Sequence, residues 1–535
     1  MVVGLLVLMG MALRVTAALR PGLWADEIFS LSMATGHSLE HPAAIANPSL
    51  GDFSEPRESQ SPAFFSRYTE HEETPAGARR VVRAVLLSDT SPPLYYLLLN
   101  PWTRIFGTRD AALRLFSTFW ALLSLPLLWL VGRKLGGSTT AWSACLLFSF
   151  APVAVFYSAE GRMYSLLWFV GLGLGWLTLR LSSSSYRSWL SVLWVLTGAA
   201  GLLTHYFFAF VWLASLGWLF VDGRLPRRQL LLLAGATLVT VLPWYLEVPA
   251  SLDSWRVSGR WLEGDLVWPR ALGRPFTLAG SLLSGSTLLG GSRRADLLLT
   301  LLLVLIAILM VSKGRIRRVF SHRALLVWLW LAAACVGPLV FDILRHTTTT
   351  EIPRYVLPGM PAAVLLAALL VRQLPPMLQA GLLACILLAW LPGNRRVIHS
   401  NLARPWQPYT ELDARLEAWA QPGDVVLVTS IPSGFLGLAR YLRPDIPIAP
   451  WVSQLGVREV PADIERLVSG KTRVAYVRVH SVGGSVAPEE WLRSNGRLLG
   501  REEFPKSSAK ISYFGPPAGD TVFRAGSPIV QRQQK

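Results

Sequence analysis

The sequence has few cysteines and few charged residues. Only three of its 535 residues are cysteines, and Cys145, Cys335 and Cys385 lie in apolar runs without the spacing of a disulfide scaffold or a zinc site. Charged residues make up 16% of the chain and hydrophobic residues 52%. A soluble enzyme of this length is less apolar. These scarcities exclude a disulfide-stabilised secreted domain and predict a polytopic α-helical membrane protein.

Several common motifs are also missing. The chain has no glycine pattern for a dinucleotide, no ATP-binding loop and no paired DxD metal motif, which argues against nucleotide-sugar donors and ATP-driven transport. No internal repeat is apparent. The net charge is +18, but much of the excess lies in short loops between apolar runs, where Lys and Arg set membrane topology. We therefore expect membrane lipid, and no nucleic acid, as a partner.

Long apolar runs dominate the first three quarters of the chain. A helix that crosses the hydrocarbon needs about 20 residues, each rising about 1.5 Å. This length predicts about eleven transmembrane helices, at residues 2–19, 114–132, 140–157, 163–180, 189–204, 206–221, 229–246, 295–312, 324–341, 355–371 and 377–393.

The loops between these spans alternate in charge. One set contains thirteen Lys or Arg and a single acid, Asp222, so the positive-inside rule places this set and the N-terminus in the cytoplasm. The other set then faces outward, and it includes residues 20–113, 157–164, 204–207, 247–294 and 342–355 and everything after 393. A cleaved signal peptide is the alternative for the first span, but Arg14 interrupts it and a basic n-region is missing.

Two outer segments have further features. The stretch PLYYLLLNPWTRIFG at 93–107 is too short to span comfortably, so we expect a helix in the outer interface with its tyrosines and Trp102 at headgroup level. Residues 394–535 are more charged, and β-branched runs such as PGDVVLVTS at 422–430 alternate there with helical patterns. We therefore expect a transmembrane catalytic domain at 1–393, with 20–113 as its first outer loop, followed by a periplasmic α/β domain at 394–535.

The predicted topology places a set of ionisable residues on the outer side of the membrane. Such groups are costly near hydrocarbon unless they are paired or functional, and many of them fall at outer helix ends or in outer loops. They could share one site. The alternative for each single residue is a solvated loop charge. The set is Asp26, Glu27, Asp89, Glu160, Arg162, His205, Glu351 and Arg354.

Five stretches in order resemble a known family. They are LRVTAALRPGLWADE at 13–27, SPPLYYLLLNPWTRIFG at 91–107, FYSAEGRMYSLL at 156–167, THYF at 204–207 and RYVLPGMPAAVLLA at 354–367. Together they resemble the bacterial relatives of protein O-mannosyltransferases and lipid A aminoarabinose transferases, which are glycosyltransferases of the GT-C fold (family 39-like). Such enzymes use polyprenyl-phosphate sugars. Family members often have His where this chain has Ser91, and the missing His puts a metal at that position in doubt. Dependence on a divalent metal cofactor stays open.

The resemblance points to Asp26 as the base that takes the acceptor's proton, with Glu27 as a second catalytic carboxylate or a support for Asp26. Sugar transfer to a hydroxyl needs such a base as the anomeric carbon gains positive character. Arg162 and Arg354 are candidates for the phosphate of the leaving group, since a guanidinium matches phosphate oxygens. The other expected substrate-binding residues are Asp89, Glu160, Tyr164, His205, Glu351 and Tyr355.

The leading hypothesis is an inverting glycosyltransferase that moves a sugar from a polyprenyl-phosphate donor to a hydroxyl of a lipid, glycan or protein, at the outer face of a bacterial inner membrane. A transporter or flippase of lipid-linked sugars is the alternative from another class. It should carry polar residues at the bilayer midplane, often in broken helices and repeated halves. Arg14 is the main midspan charge here, and an inward contact is the favoured reading for it. An oligosaccharyl transferase or polymer ligase is a third possibility.

Overall fold

The computed structural model describes residues 2–41, 45–88, 91–183, 188–254, 262–285, 319–399, 408–452, 458–480, 486–504, 507 and 509–524. Helices dominate it up to residue 398. They are α1 (Val2–Ala18), α2 (Ala25–Thr35), α3 (Ala78–Ser88), α4 (Leu94–Phe106), α5 (Asp110–Gly136), α6 (Ser138–Phe150), α7 (Pro152–Ser158), α8 (Tyr164–Ser183), α9 (Ser188–Leu202), α10 (Phe208–Asp222), α11 (Arg227–Ser254), α12 (Trp268–Ser284), α13 (His322–Arg345), α14 (Met360–Val371) and α15 (Pro376–Ile398).

The apolar helices make this a multi-pass membrane protein. Six described helices are long and apolar enough to cross a membrane, or seven spans if the bent pair of α6 and α7 counts as one. Three shorter apolar helices, α1, α9 and α10, add to them. Every predicted span within the described residues coincides with one of these helices or with the bent pair. The span predicted at 295–312 lies outside the described residues, so the total of eleven stays a prediction.

The expected span at 140–157 is two helices that meet at an angle of 64°. The break falls before Pro152, which has no N–H to donate to the carbonyl of Phe148 four residues earlier. Arg14 of α1 is fully buried and donates to the carbonyl oxygens of Phe148 and Ser149. The inward contact expected for Arg14 is confirmed, and its partners are the backbone groups at a helix break.

The amphipathic stretch at 93–107 does form a helix, α4. Our expectation that its tyrosines face the lipid headgroups was wrong, because Tyr95 and Tyr96 are fully buried within the protein. The Tyr95 hydroxyl bonds with Ser117. The exposed apolar side chains of α4 are at its end, where Ile105 and Phe106 are 74% and 57% exposed. The tyrosines therefore face the protein interior.

A small α/β domain follows α15, which continues past the expected boundary at 393. Its elements are α16 (Tyr409–Trp419), β1 (Val425–Thr429), α17 (Pro432–Ala439), β2 (Ile448–Trp451), α18 (Ala462–Val468), β3 (Val474–Arg478), α19 (Ala487–Asn495), β4 (Arg497–Glu503) and β5 (Lys510–Gly515). The sheet has the order β2-β1-β3-β5-β4, in which β1 pairs in parallel with β2 and β3, and β5 is antiparallel to β3 and β4.

The α/β domain is docked on residues 20–113, the segment that we predict to be the first outer loop. Asp110, at the start of α5, accepts hydrogen bonds from Arg440 and Tyr441 of the domain and from the backbone N–H of Gly22. Gln60 of the loop forms a β-bridge with Ile448 at the sheet edge. These contacts place the domain over the loop that contains Asp26 and Glu27.

Candidate active site

The two adjacent carboxylates lie in the first turn of α2, where the positive end of the helix dipole favours acids. Their surroundings differ. The Glu27 side chain is fully buried, whereas that of Asp26 is 19% exposed. Neighbouring residues on a helix point about 100° apart, so one carboxylate turns into the protein and the other toward solvent. Only Asp26 is reachable from solvent.

Glu27 is fixed by a dense set of donors. Arg114 of α5 binds it with two parallel hydrogen bonds, Nε to Oε1 at 2.7 Å and Nη2 to Oε2 at 2.6 Å. The backbone N–H groups of Gly161 and Trp24 donate to the same carboxylate at 2.8 and 3.2 Å. Arg114 also donates to the carbonyl of Gly22. This buried ion pair joins α2, α5 and the turn at 159–163.

Asp26 pairs with Arg354, which lies 328 positions later in the sequence. Nη1 of Arg354 lies 2.8 Å from Asp26 Oδ2, and the Arg354 guanidinium lies 5.8 Å from the centre of the Trp24 ring. Among the described residues, none donates a hydrogen bond to Asp26 Oδ1. The carboxylate therefore keeps one oxygen for an incoming donor such as a hydroxyl.

Arg162 approaches the same helix from the turn between α7 and α8. Its Nη1 donates to the Asp26 carbonyl and to Ser30 Oγ, both at 3.3 Å, and to Tyr96 Oη at 3.2 Å. Glu160, two residues earlier, is 1% exposed. Glu160, both predicted arginines and Asp26 are all within electrostatic range of Tyr164, so the structure brings them to one region.

Aromatic side chains form one wall of this region. The Tyr355 ring stacks on Phe207 with centroids 4.9 Å apart, and His205 lies 6.2 Å from Tyr355 and 6.4 Å from Tyr164. The Phe207 N–H donates to Nδ1 of His205 at 3.1 Å, so a neutral His205 carries its proton on Nε2. Tyr164 is within electrostatic range of Asp26 and Arg354. Three predicted residues, Tyr164, His205 and Tyr355, therefore adjoin the pair.

The loop that presents Arg354 is held by a residue that the sequence did not single out. Asp342 is fully buried and accepts hydrogen bonds from the hydroxyls of Thr347, Thr349 and Thr350 at 2.6–2.8 Å. Two backbone N–H groups of the same loop also donate to it. A carboxylate with this many donors fixes the loop conformation, which in turn positions Arg354.

Two predicted residues have a different placement. Glu351 pairs with Arg274 of α12, and its side chain is 45% exposed; the structure shows no contact between it and Asp26. Asp89 lies outside the described residues. No group of three or more His, Cys, Asp or Glu that could hold a metal ion occurs in the described part of the chain, and the metal cofactor stays a prediction.

The α/β domain also approaches Asp26. Tyr409 and His480 are both within electrostatic range of the Asp26 carboxylate. Burial raises the pKa of Tyr409 and lowers the pKa of His480, although Asp26 opposes the second shift. Burial thus favours the protonated hydroxyl of Tyr409 and the uncharged ring of His480.

Sequence reasoning missed Arg114, Tyr96, Asp342 and the two residues of the α/β domain. Arg114 had a usable signal, because it is an arginine at the outer end of a predicted span, like Arg162. Tyr96 and Asp342 had none, since their roles depend on contacts between segments distant in sequence.

Comparisons with known proteins agree with this architecture. Residues 90–246 match the family model described as dolichyl-phosphate-mannose-protein mannosyltransferase. The structure of ArnT from Cupriavidus metallidurans in the apo state is similar, with a TM-score of 0.53 and 12% identity over 91% of this chain and 95% of ArnT. ArnT bound to undecaprenyl phosphate gives a TM-score of 0.51 at 12% identity, over 91% of this chain and 96% of ArnT. A search of curated protein sequences gives no significant match. The predicted GT-C fold and the resemblance to the mannosyltransferase and ArnT group are confirmed.

Proposed function

We propose that this protein is an inverting glycosyltransferase that moves a sugar from a polyprenyl-phosphate donor to an acceptor hydroxyl. The pairing of Asp26 with Arg354 is the observation that carries the proposal. It joins a solvent-accessible carboxylate to a cation at the outer ends of two helices, and the reaction needs these two kinds of group. A base must take the acceptor's proton, and a cation must hold the phosphate that leaves.

The proposed step is a single displacement. Asp26 Oδ1 takes the proton of the acceptor hydroxyl, whose oxygen attacks the anomeric carbon from the side opposite the phosphate. The bond between that carbon and the phosphate oxygen breaks, and the electron pair leaves with the polyprenyl phosphate. Attack from the opposite face inverts the anomeric configuration. Arg354 moves from Asp26 to the donor phosphate, which frees the carboxylate to act as a base.

Other residues support this chemistry by position. Glu27 acts through Arg114 and the backbone of Gly161 to hold the start of α2 in place, because its side chain is fully buried. Arg162 is the second candidate for the phosphate. Tyr164, His205 and Tyr355 offer rings and polar atoms to the sugar, as the side chains of sugar sites commonly do.

The comparisons are consistent with a lipid-linked donor. The matching family is described by its use of dolichyl-phosphate mannose, and the similar ArnT structure contains undecaprenyl phosphate. The acceptor class, whether lipid, glycan or protein, is left open. The basic loops favour a cytoplasmic location for the helix ends opposite Asp26 and Arg354. We therefore place the reaction at the outer face of a bacterial inner membrane.

A transporter is the weaker explanation of the same helices. Its substrate path should expose polar groups near the bilayer midplane. Arg14, the main midspan charge, is fully buried and occupied by backbone carbonyl groups. It therefore has a structural partner, whereas the accessible charged pair lies at one surface.

Replacement of the two arginines tests the phosphate assignment. Arg354→Ala and Arg162→Ala should each weaken binding of undecaprenyl phosphate about tenfold or more, since a hydrogen bond to a charged group contributes about 1.5–3 kcal/mol. Lysine should restore only part of the affinity because it lacks the planar fork. Binding and the unfolding temperature of the purified protein should be measured together.

The matched control is Arg345→Ala, which removes an exposed arginine near the same loop. It should bind the lipid phosphate like the parent. If Arg354→Ala and Arg162→Ala also bind it like the parent and transfer sugar normally, the contacts of both arginines are only structural, and the assignment is wrong.

A further inference from the structure

A cavity lies between the first outer loop and the α/β domain, and it is separate from the pair of Asp26 and Arg354. Its volume is about 540 Å³, which is the size of a small-molecule site. The walls come from the end of α1, the residues before α5, the loop around Phe65, and α17 with the residues that follow it. Asp26, Arg162 and Arg354 do not line it. It is therefore separate from the proposed catalytic residues.

Two arginines make the cavity attractive to anions. Arg20 and Arg109 line it, and neither guanidinium forms a hydrogen bond or ion pair with any residue in the described part of the chain. Arg440 also lines the cavity, but Asp110 neutralises its charge at 3.0 Å. Glu70 is the one other acid in the wall, and it is exposed. Two cations are thus opposed by a single carboxylate.

The position of these arginines indicates a lipid. Arg20 follows α1 by two residues, and Arg109 directly precedes α5, so both adjoin the ends of apolar helices. Leu19 at the cavity edge is 57% exposed, whereas Phe65 and Leu442 line the cavity but are almost fully buried. Arginines at helix ends commonly extend to surrounding headgroups. Here, however, the α/β domain closes a wall around them.

We propose that this cavity binds the acidic headgroup of an outer-leaflet lipid, with its phosphate held by Arg20 and Arg109 and its acyl chains directed past the exposed side chain of Leu19. Such a lipid contacts the first outer loop and the α/β domain at once. It therefore links the position of the domain to the membrane surface, independently of donor binding at Arg354.

The test is a lipid titration of the purified full-length protein in detergent, followed by native mass spectrometry. The parent should bind phosphatidylglycerol more tightly than phosphatidylcholine. The double variant Arg20→Gln, Arg109→Gln should weaken phosphatidylglycerol binding roughly tenfold or more, because two charge-assisted contacts are lost. The control is Arg57→Gln, Arg79→Gln, which makes the same charge change in the same loop at exposed residues outside the cavity. It should bind like the parent.

Inorganic phosphate, added as a competitor, separates the two sources of the anion. Competition shows that the phosphate group alone is recognised; no competition, with weaker lipid binding in the double variant, shows that the acyl chains contribute. Equal binding by the double variant and its control overturns the proposal, as does equal affinity of the parent for both lipids. The result does not depend on sugar transfer, so this proposal and the proposed function can fail separately.

Discussion

At the residue scale, the two neighbouring acids of α2 have separate roles because their partners differ. Glu27 is buried against Arg114 with two short hydrogen bonds, whereas Asp26 is partly exposed and shares one bond with Arg354. Removing one member of a buried ion pair leaves the other charge without compensation. A partly exposed pair is worth much less, since water replaces the lost partner.

Glu27→Gln should therefore destabilise the fold by about 3–5 kcal/mol, because it leaves the Arg114 charge buried without its carboxylate. Asp26→Asn should change the stability by about 1 kcal/mol or less. Denaturant unfolding of both purified variants, measured in one detergent, checks the difference. Equal stability losses would mean that Glu27 is not the structural member of the pair.

The sequence was sufficient to group the polar residues but not to assign their partners. Loop charges put Asp26, Arg162 and Arg354 on one side of the membrane, and the structure brings these three together. The pairing of Glu27 with Arg114 could not be predicted, because it depends on how α2 packs against α5. The pairing of Glu351 with Arg274 could not be predicted either, because hydropathy does not determine where a side chain points.

At the element scale, the break between α6 and α7 is the feature that hydropathy alone did not resolve. An apolar run long enough to span the membrane predicts one helix, but Pro152 removes a backbone donor and leaves the Phe148 carbonyl unpaired. Arg14 replaces that donor from another helix. In hydrocarbon, such backbone groups must be satisfied within the protein, so the arginine and the break depend on each other.

Arg14→Met should lower the stability of the protein by roughly 1–3 kcal/mol for each carbonyl left without a donor. Methionine keeps most of the length and the apolar character of the side chain. Thermal unfolding should show a reduced midpoint, while Leu8→Ala, at a residue 59% exposed on the same helix, should change it little. A parental midpoint for Arg14→Met would show that the carbonyl groups find other partners.

At the scale of the whole molecule, the fold was predictable and the docking of the α/β domain was not. Apolar runs and β-branched runs identify the helices and strands from local composition. The contacts of Arg440 and Tyr441 with Asp110 join residues more than 300 positions apart, and a single sequence carries no signal for them. Through these contacts the domain brings Tyr409 and His480 near Asp26 and closes the lipid cavity.

Proton removal by Asp26 is tested most directly by transfer of labelled sugar from a polyprenyl-phosphate donor, with the purified parent and Asp26→Asn compared side by side. Asparagine keeps the size of the side chain and removes its basicity, so transfer should fall by about 10² or more. Donor binding and the unfolding midpoint should remain close to those of the parent. Near-parental transfer by Asp26→Asn would contradict the role of Asp26 as the base.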